Sequence, residues 1–109
     1  MTEITPTAIE DRKEPYWAKL NQIIDPELDL GLVDLGLIYN VNIAKDGHAH
    51  VRMTLTSPAC PVGPILVQQV QDKMQIYPGV NEVEVEVVWE PFWNHDLVDP
   101  EVRDMMFGI

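Results

Sequence analysis

The chain has 109 residues, of which 18 are acidic, 7 are basic and a single one is cysteine, and its formal net charge is −11. The acidic balance argues against nucleic acid or an anionic membrane as a partner, because both are bound through clustered Lys and Arg side chains. The lone cysteine excludes an internal disulfide, and no segment has the apolar length of a membrane span or the pattern of a signal peptide, so we expect a cytoplasmic protein.

The N-terminal part of the chain predicts a helix followed by an apolar loop. Pro15 suits the first turn of a helix, and apolar residues recur at helical spacing from Trp17 to Ile24. The Asp-Pro pair at 25–26 ends this helix, because a residue before proline disfavours helical geometry. The residues that follow, up to Gly36, predict a loop whose leucines pack against the body of the protein.

The rest of the chain predicts three strands and two helices. They are strands at 37–43 and 49–56, a helix at 62–77, a strand at 83–89 and a short helix that ends near Gly108. The first two strands flank Lys45-Asp46-Gly47, a good hairpin turn because glycine supplies a positive φ. Asp99 and Pro100 are typical of the start of the last helix.

This element order predicts the fold class. The order helix, strand, strand, helix, strand, helix indicates an α/β (α+β) protein, a small two-layer sandwich with a mixed three-stranded sheet. The hairpin strands must be antiparallel, and the crossover through the second helix returns a parallel strand. The strand order stays open. We expect a flexible tail at residues 1–8 and a single domain over residues 9–109.

The cysteine, Cys60, lies on a proline-framed turn just before the long predicted helix. The unpaired N–H groups and the dipole of a helix N-terminus favour a thiolate, the form that binds metals and attacks electrophiles. The alternative is a buried structural cysteine, because a free cysteine packs as a small hydrophobe. Position alone does not decide between them.

Polar clusters elsewhere have two interpretations. Four carboxylates lie around the Asp-Pro turn, at Asp25, Glu27, Asp29 and Asp34. They could bind a cation or act as a base toward Cys60, but aspartates also cap turns, and the residues alone favour capping. The alternating glutamates at 82, 84 and 86, together with His48 and His50, indicate a solvated sheet face rather than a metal site. His95 is isolated and has no assigned role.

Three segments of the chain combine into a specific set of motifs. They are Asp25-Pro26-Glu27-Leu28 with Val33 to Tyr39, Met53 to Pro61, and Val88 to Trp93. Together they resemble the iron–sulfur cluster assembly family that includes SufT-like proteins and the PaaD-like subunit of phenylacetyl-CoA oxygenase systems. Arg103 and Gly108 also match the family's closing helix, in which Phe107 replaces the usual Leu.

The resemblance implies a role in the maturation of iron–sulfur proteins, with no small-molecule reaction and no catalytic residue. The site that it implies consists of Cys60 as metal ligand and four residues around it, Asp25, Glu27, Asp34 and Thr56. PaaD-like proteins usually carry a cysteine-rich extension that does not follow Ile109 here, so we expect the SufT-like branch.

Iron–sulfur clusters are typically held by four thiolates, so one Cys60 per chain cannot close a site. The cysteine could donate one ligand to a transient cluster that a second copy, a small thiol or the client completes. The expected partners are iron–sulfur client proteins and assembly scaffold proteins, and the open sheet face with the apolar loop at 28–37 suits a homodimer. The alternatives are a docking adaptor or PaaD-like accessory subunit that binds no cluster and, third, a thiol-dependent enzyme.

Overall fold

The structure is a computed structural model that describes residues 6–7, 11–26, 29–56, 63–90, 93 and 97–107. Its helices are α1 (Pro15–Leu20), α2 (Gly63–Gln75) and α3 (Pro100–Phe107). Its strands are β1 (Ile24–Asp25), β2 (Leu30–Gly31), β3 (Ile38–Ile43), β4 (His48–Met53) and β5 (Glu82–Val87).

Strands β3, β4 and β5 form a mixed sheet in that order. The β3–β4 pair is antiparallel and places Val41 opposite Val51. The β4–β5 pair is parallel and places Val51 opposite Val85. The mixed three-stranded sheet that the sequence predicts is therefore confirmed, and β4 is its central strand.

Gly47 closes the hairpin between β3 and β4. Its φ is +92°, which a residue with a side chain rarely adopts, and its N–H donates to the carbonyl of Ala44. Its own carbonyl accepts hydrogen bonds from the N–H groups of Asn81 and Glu82. The hairpin turn therefore also fixes the start of β5.

The core lies between α2 and one face of the sheet. Every second residue of β4 is buried, namely Ala49, Val51 and Met53, and α2 buries the stripe Leu66, Val70 and Met74. The apolar side chains of the loop before β3 are buried in the same cluster, namely Leu32, Val33, Leu35 and Leu37. This loop therefore packs within its own chain, as the sequence predicts, and these four side chains are not available to a second copy.

The N-terminal helix is shorter than the sequence predicts. It ends at Leu20, and Ile24, which was expected on its buried face, is 46% exposed. The backbone after Asn21 instead forms a two-stranded ribbon, in which Ile24 pairs with Gly31. A Cβ atom at Gly31 would collide with the side chain of Asn21, so the close packing of this ribbon requires glycine.

The opposite sheet face is polar and exposed, as predicted. His50 Nε2 lies 2.9 Å from Glu86 Oε1, and His48 contacts both Glu82 and Glu84 at 3.4 Å. Cross-strand pairs of this kind contribute little free energy at an exposed surface. The face is therefore a solvated charge ladder.

The last helix begins as the sequence predicts. Asp99 is its N-cap, because its Oδ1 accepts the N–H of Glu101 at 3.0 Å, and Pro100 occupies the first helical position. No helix among the described residues is long and apolar enough to cross a membrane.

Candidate functional site

The three motif segments meet at the carboxyl end of β4. The N–H of Thr54 donates to the carbonyl of Leu37 at 2.8 Å, and the N–H of Val88 donates to the carbonyl of Met53 at the same distance. The residues that lead into β3 and those that follow β4 and β5 therefore lie side by side. Carboxyl ends of parallel strands are where α/β proteins commonly build sites.

The segment before β3, residues 29–37, is here called the motif loop. Trp93 anchors it, because its indole Nε1–H donates to the carbonyl of Leu35 at 2.6 Å. Gly36 has a φ of +75°, and a Cβ atom there would collide with the carbonyl of Leu97. The motif loop is therefore held between the sheet and the chain that leads into α3.

Cys60 itself lies outside the described residues, as do Ser57 to Val62, but both flanks of this segment are placed. Thr56 follows β4 and is half-buried, and Gly63 begins α2 as a buried residue. A Cβ atom at Gly63 would lie 2.7 Å from Leu55 Cδ1, so the start of α2 packs directly on the end of β4. Both described flanks of the segment that contains the cysteine therefore lie at the edge where the motif segments meet.

Asp25 is 1% exposed and pairs with Leu30 in the ribbon. Its carbonyl accepts the N–H of Asp29 at 2.7 Å, and Asp29 adopts a left-handed φ of +58°. An aspartate tolerates this conformation better than most residues. The backbone atoms of both aspartates therefore close a tight turn, while Glu27, another predicted site residue, lies outside the described residues.

Asp34 is held through its backbone on both sides. Its N–H donates to Asn21 Oδ1 at 2.9 Å, and its carbonyl accepts the N–H of Asp99 at 2.8 Å. Burial lowers the pKa of Arg12 below its ordinary value, and the negative charges of Asp99 and Asp34 partly oppose that shift. Asp34 and Arg12 therefore form one electrostatic group with the N-cap of α3.

Sequence reasoning did not identify Arg12, Asn21 or Asp99 as neighbours of Asp34. Asp99 carried a recognisable N-cap signal, but Arg12 stood in a polar run with no distinguishing pattern. No three His, Cys, Asp or Glu side chains within the described ranges converge in a way that could hold a metal ion. The described part of the chain therefore contributes no closed metal site.

A groove of about 590 Å³ runs between the α1–β1 link and α2. Its walls include Ile24 and Ile76, and the latter is 80% exposed, while Lys73 crosses it to donate to Gln22 Oε1 at 2.9 Å. None of the predicted site residues that the structure describes, namely Asp25, Asp34 and Thr56, lines this groove. It is separate from the edge where the motif segments meet.

A sequence profile of an iron-sulfur cluster assembly protein family matches residues 16–87. The chain belongs to this family. The match includes the motif loop, β4 and α2, so the resemblance to this family is confirmed, although the last motif segment, Val88 to Trp93, lies beyond the matched residues.

Curated relatives of similar length have related names. The chain is 44% identical, over 80% of its length and 85% of the relative's, to the Fe-S protein maturation auxiliary factor YitW of Bacillus subtilis. It is 43% identical, over 70% of its length and 86% of the relative's, to the Fe-S protein maturation auxiliary factor SufT of Staphylococcus aureus. The similarity to SufT-like proteins is thereby confirmed.

A longer relative contains the same region as one of its parts. The chain is 39% identical, over 73% of its length, to an iron-sulfur cluster carrier protein of Synechocystis, but spans only 22% of that protein. Among solved structures, a domain of unknown function, DUF59, from Bacillus anthracis matches with a TM-score of 0.77 at 37% identity. That match covers 85% of this chain and 88% of the other, and it supports the mixed α+β fold.

Proposed function

We propose that this protein is an accessory factor in iron–sulfur protein maturation that carries a labile cluster and hands it to client proteins through Cys60. The names of the relatives support the accessory role, and the carrier name of the longer relative supports a transient cluster. The observation that carries the proposal is the position of the single cysteine. It lies in the connection between β4 and α2, and the described flanks of this connection are at the edge where the motif segments meet.

The chemistry of the site suits a cargo that must be released. A thiolate is the preferred protein ligand of iron–sulfur clusters, which usually take four. One thiolate per chain leaves the cluster incompletely held, so the remaining ligands come from a client, a scaffold protein, a small thiol or a second copy. Exchange of those outside ligands transfers the cluster without any catalysed reaction. The free thiol also suits a reducing compartment such as the cytoplasm.

The neighbouring residues have different proposed roles. Thr56 is half-buried at the end of β4 and lies close enough in sequence to contact bound cargo or a partner. Asp34 contributes negative charge within the motif loop, and buried Asp25 supports the ribbon. Glu27 is proposed from the resemblance to the family. The proposed surface for a homodimer is the polar sheet face, because Leu32, Leu35 and Leu37 of the motif loop are buried within the chain.

The experiment is anaerobic reconstitution with iron and sulfide, comparing the wild-type protein with Cys60→Ser and Cys60→Ala. We expect a weak iron–sulfur absorption band in the wild type and its loss in both variants, because each removes the only thiolate. Circular dichroism and melting temperature serve as controls for folding.

The activity of an iron–sulfur client enzyme in cells carrying each variant separates the alternatives. Loss of the absorption band together with loss of client activity supports the carrier. An unchanged band in the variants contradicts cluster binding through Cys60. Full client activity in Cys60→Ala would favour a docking adaptor that binds no cluster.

A further inference from the structure

Arg12 joins three separate segments of the chain through one side chain. Its Nε–H donates to the carbonyl of Thr7 at 3.2 Å, and its Nη1–H donates to the carbonyl of Val33 at 3.1 Å. Its guanidinium carbon lies 5.3 Å from the ring centre of Trp17, within the range of a cation–π contact. The N-terminal segment, α1 and the motif loop are therefore connected at one point.

The N-terminal segment is itself attached to the sheet. The N–H of Thr7 donates to the carbonyl of Tyr39 at 2.8 Å, and Asn40 Nδ2 donates to Thr7 Oγ1 at 3.3 Å. Thr7 therefore lies along the edge of β3, just after the motif loop. Through Thr7, Arg12 ties the motif loop to the strand that follows it.

The surroundings of Arg12 combine burial with nearby negative charge. The guanidinium is half-buried, which is costly for a charged group unless its donors are satisfied and opposite charges are close. Asp34 and Asp99 supply those charges, and the N–H of Asp99 donates to the carbonyl of Asp34. Arg12 therefore also stabilises the junction between the motif loop and α3.

We infer that Arg12 is a positioning residue that holds the motif loop against β3 and α3. Two hydrogen bonds connect the motif loop to its surroundings: the N–H of Thr54 donates to the carbonyl of Leu37, and the indole N–H of Trp93 donates to the carbonyl of Leu35. Displacement of the motif loop would therefore disturb the residues that follow β4. Arg12 precedes residues 16–87, which match the family profile, so its contacts with the motif loop come from outside the matched region. Its importance for client maturation rests on the proposed function, whereas its positioning role does not.

Amide hydrogen exchange tests the positioning role directly. Arg12→Gln removes the charge and the forked donors, Arg12→Lys keeps only the charge, and Lys13→Gln removes a neighbouring exposed charge as a matched control. The reporters are the N–H groups of Leu35, Gly36 and Asp99, which bond within the motif loop and to Asp34.

We expect exchange at these three amides to accelerate at least about tenfold in Arg12→Gln, less in Arg12→Lys and not at all in Lys13→Gln. Exchange at Val51 and Val70, in the core, should accelerate by no more than the fall in the free energy of unfolding, measured with urea, accounts for. Unchanged exchange at the three reporter amides, or acceleration confined to core amides, would overturn the inference.

Client activity in cells supplies the second readout. We expect it to fall at least about fivefold in Arg12→Gln, to recover in part in Arg12→Lys and to stay unchanged in Lys13→Gln. Wild-type client activity in Arg12→Gln, despite a loosened motif loop, would overturn the functional importance of the positioning. The client activity of Cys60→Ala tests the proposed function independently, because full activity in that variant would contradict a carrier role for Cys60.

Discussion

At the scale of single residues, Tyr39 links the motif segment to the core. It is 0% exposed, and its carbonyl accepts the N–H of Thr7. Burial raises the pKa of its hydroxyl above the ordinary value. The folded state therefore favours the neutral phenol, which couples the stability of the protein to alkaline pH.

We predict that the free energy of unfolding falls as pH rises above about 10, where tyrosine ionises in the unfolded chain. The folded chain holds the Tyr39 proton to higher pH, so stability is complete below that range and is lost as pH rises through the raised pKa. Tyr39→Phe should flatten this decline and cost about 1 kcal/mol at pH 8, through lost polar contacts of the hydroxyl. Urea unfolding at pH 8 and pH 11 measures both effects.

The pKa of Tyr16 is also raised, chiefly by burial, so part of the alkaline decline should remain in Tyr39→Phe. The double variant with Tyr16→Phe should lose most of it. An equally steep decline in the double variant would show that other groups control alkaline unfolding.

The contacts of Asp34 show which part of the site could be predicted from single residues. The motifs indicated that Asp34 belongs to the site, and the Asp99 N-cap was visible as an Asp-Pro pair. The hydrogen bond from Asp34 to Asn21 and the nearby charge of Arg12 depend on tertiary folding and have no signature in local sequence. Local sequence therefore proposes Asp34 as a site residue but does not predict the residues that it contacts.

At the scale of elements, α2 has one buried and one exposed side. Leu66 is 2% exposed and packs in the core, whereas its neighbour Ile65 is 57% exposed. The two residues have nearly the same volume and lie in the same helical turn. They form a matched pair for separating burial from helix propensity.

We predict that Leu66→Ala lowers the free energy of unfolding by about 2–5 kcal/mol, because it removes buried contacts and leaves a cavity. Ile65→Ala should change it by no more than about 0.5 kcal/mol, because the side chain is largely in water and alanine favours the helix. Equilibrium urea unfolding checks both. Similar losses in the two variants would mean that Ile65 is covered in solution.

The elements with long periodic patterns were predicted well, whereas the extent of the short helix α1 was not. The stripe of α2 and the alternation of β4 and β5 are long enough to identify each element from its period. The stretch from Trp17 to Ile24 also shows helical spacing, yet it spans the end of α1, a turn and the start of β1. The pairing of Ile24 with Gly31 and the packing of Asn21 against Gly31 determine the structure of this region. Helical spacing along the sequence does not reveal either contact.

At the scale of the whole molecule, contacts with basic side chains balance only part of the negative charge. The polar sheet face sets three glutamates against Arg52 and two histidines, with His50 and Arg52 both contacting Glu86. The net charge of −11 remains spread over a small protein and repels itself in the folded state. Exposed ion pairs recover little of this cost.

We predict that the protein becomes more stable as NaCl rises from about 10 to 200 mM, because the Debye length shortens from about 30 Å to below 10 Å and screens the repulsion. The gain should be on the order of 1 kcal/mol, or about 4–8 °C in melting temperature. Exposed Glu90→Gln should reduce this salt dependence, whereas exposed Lys45→Gln should increase it, because the two changes shift the net charge in opposite directions. A fall in melting temperature with salt would show instead that attractive pairs, such as those of the sheet face, dominate the electrostatics of the fold.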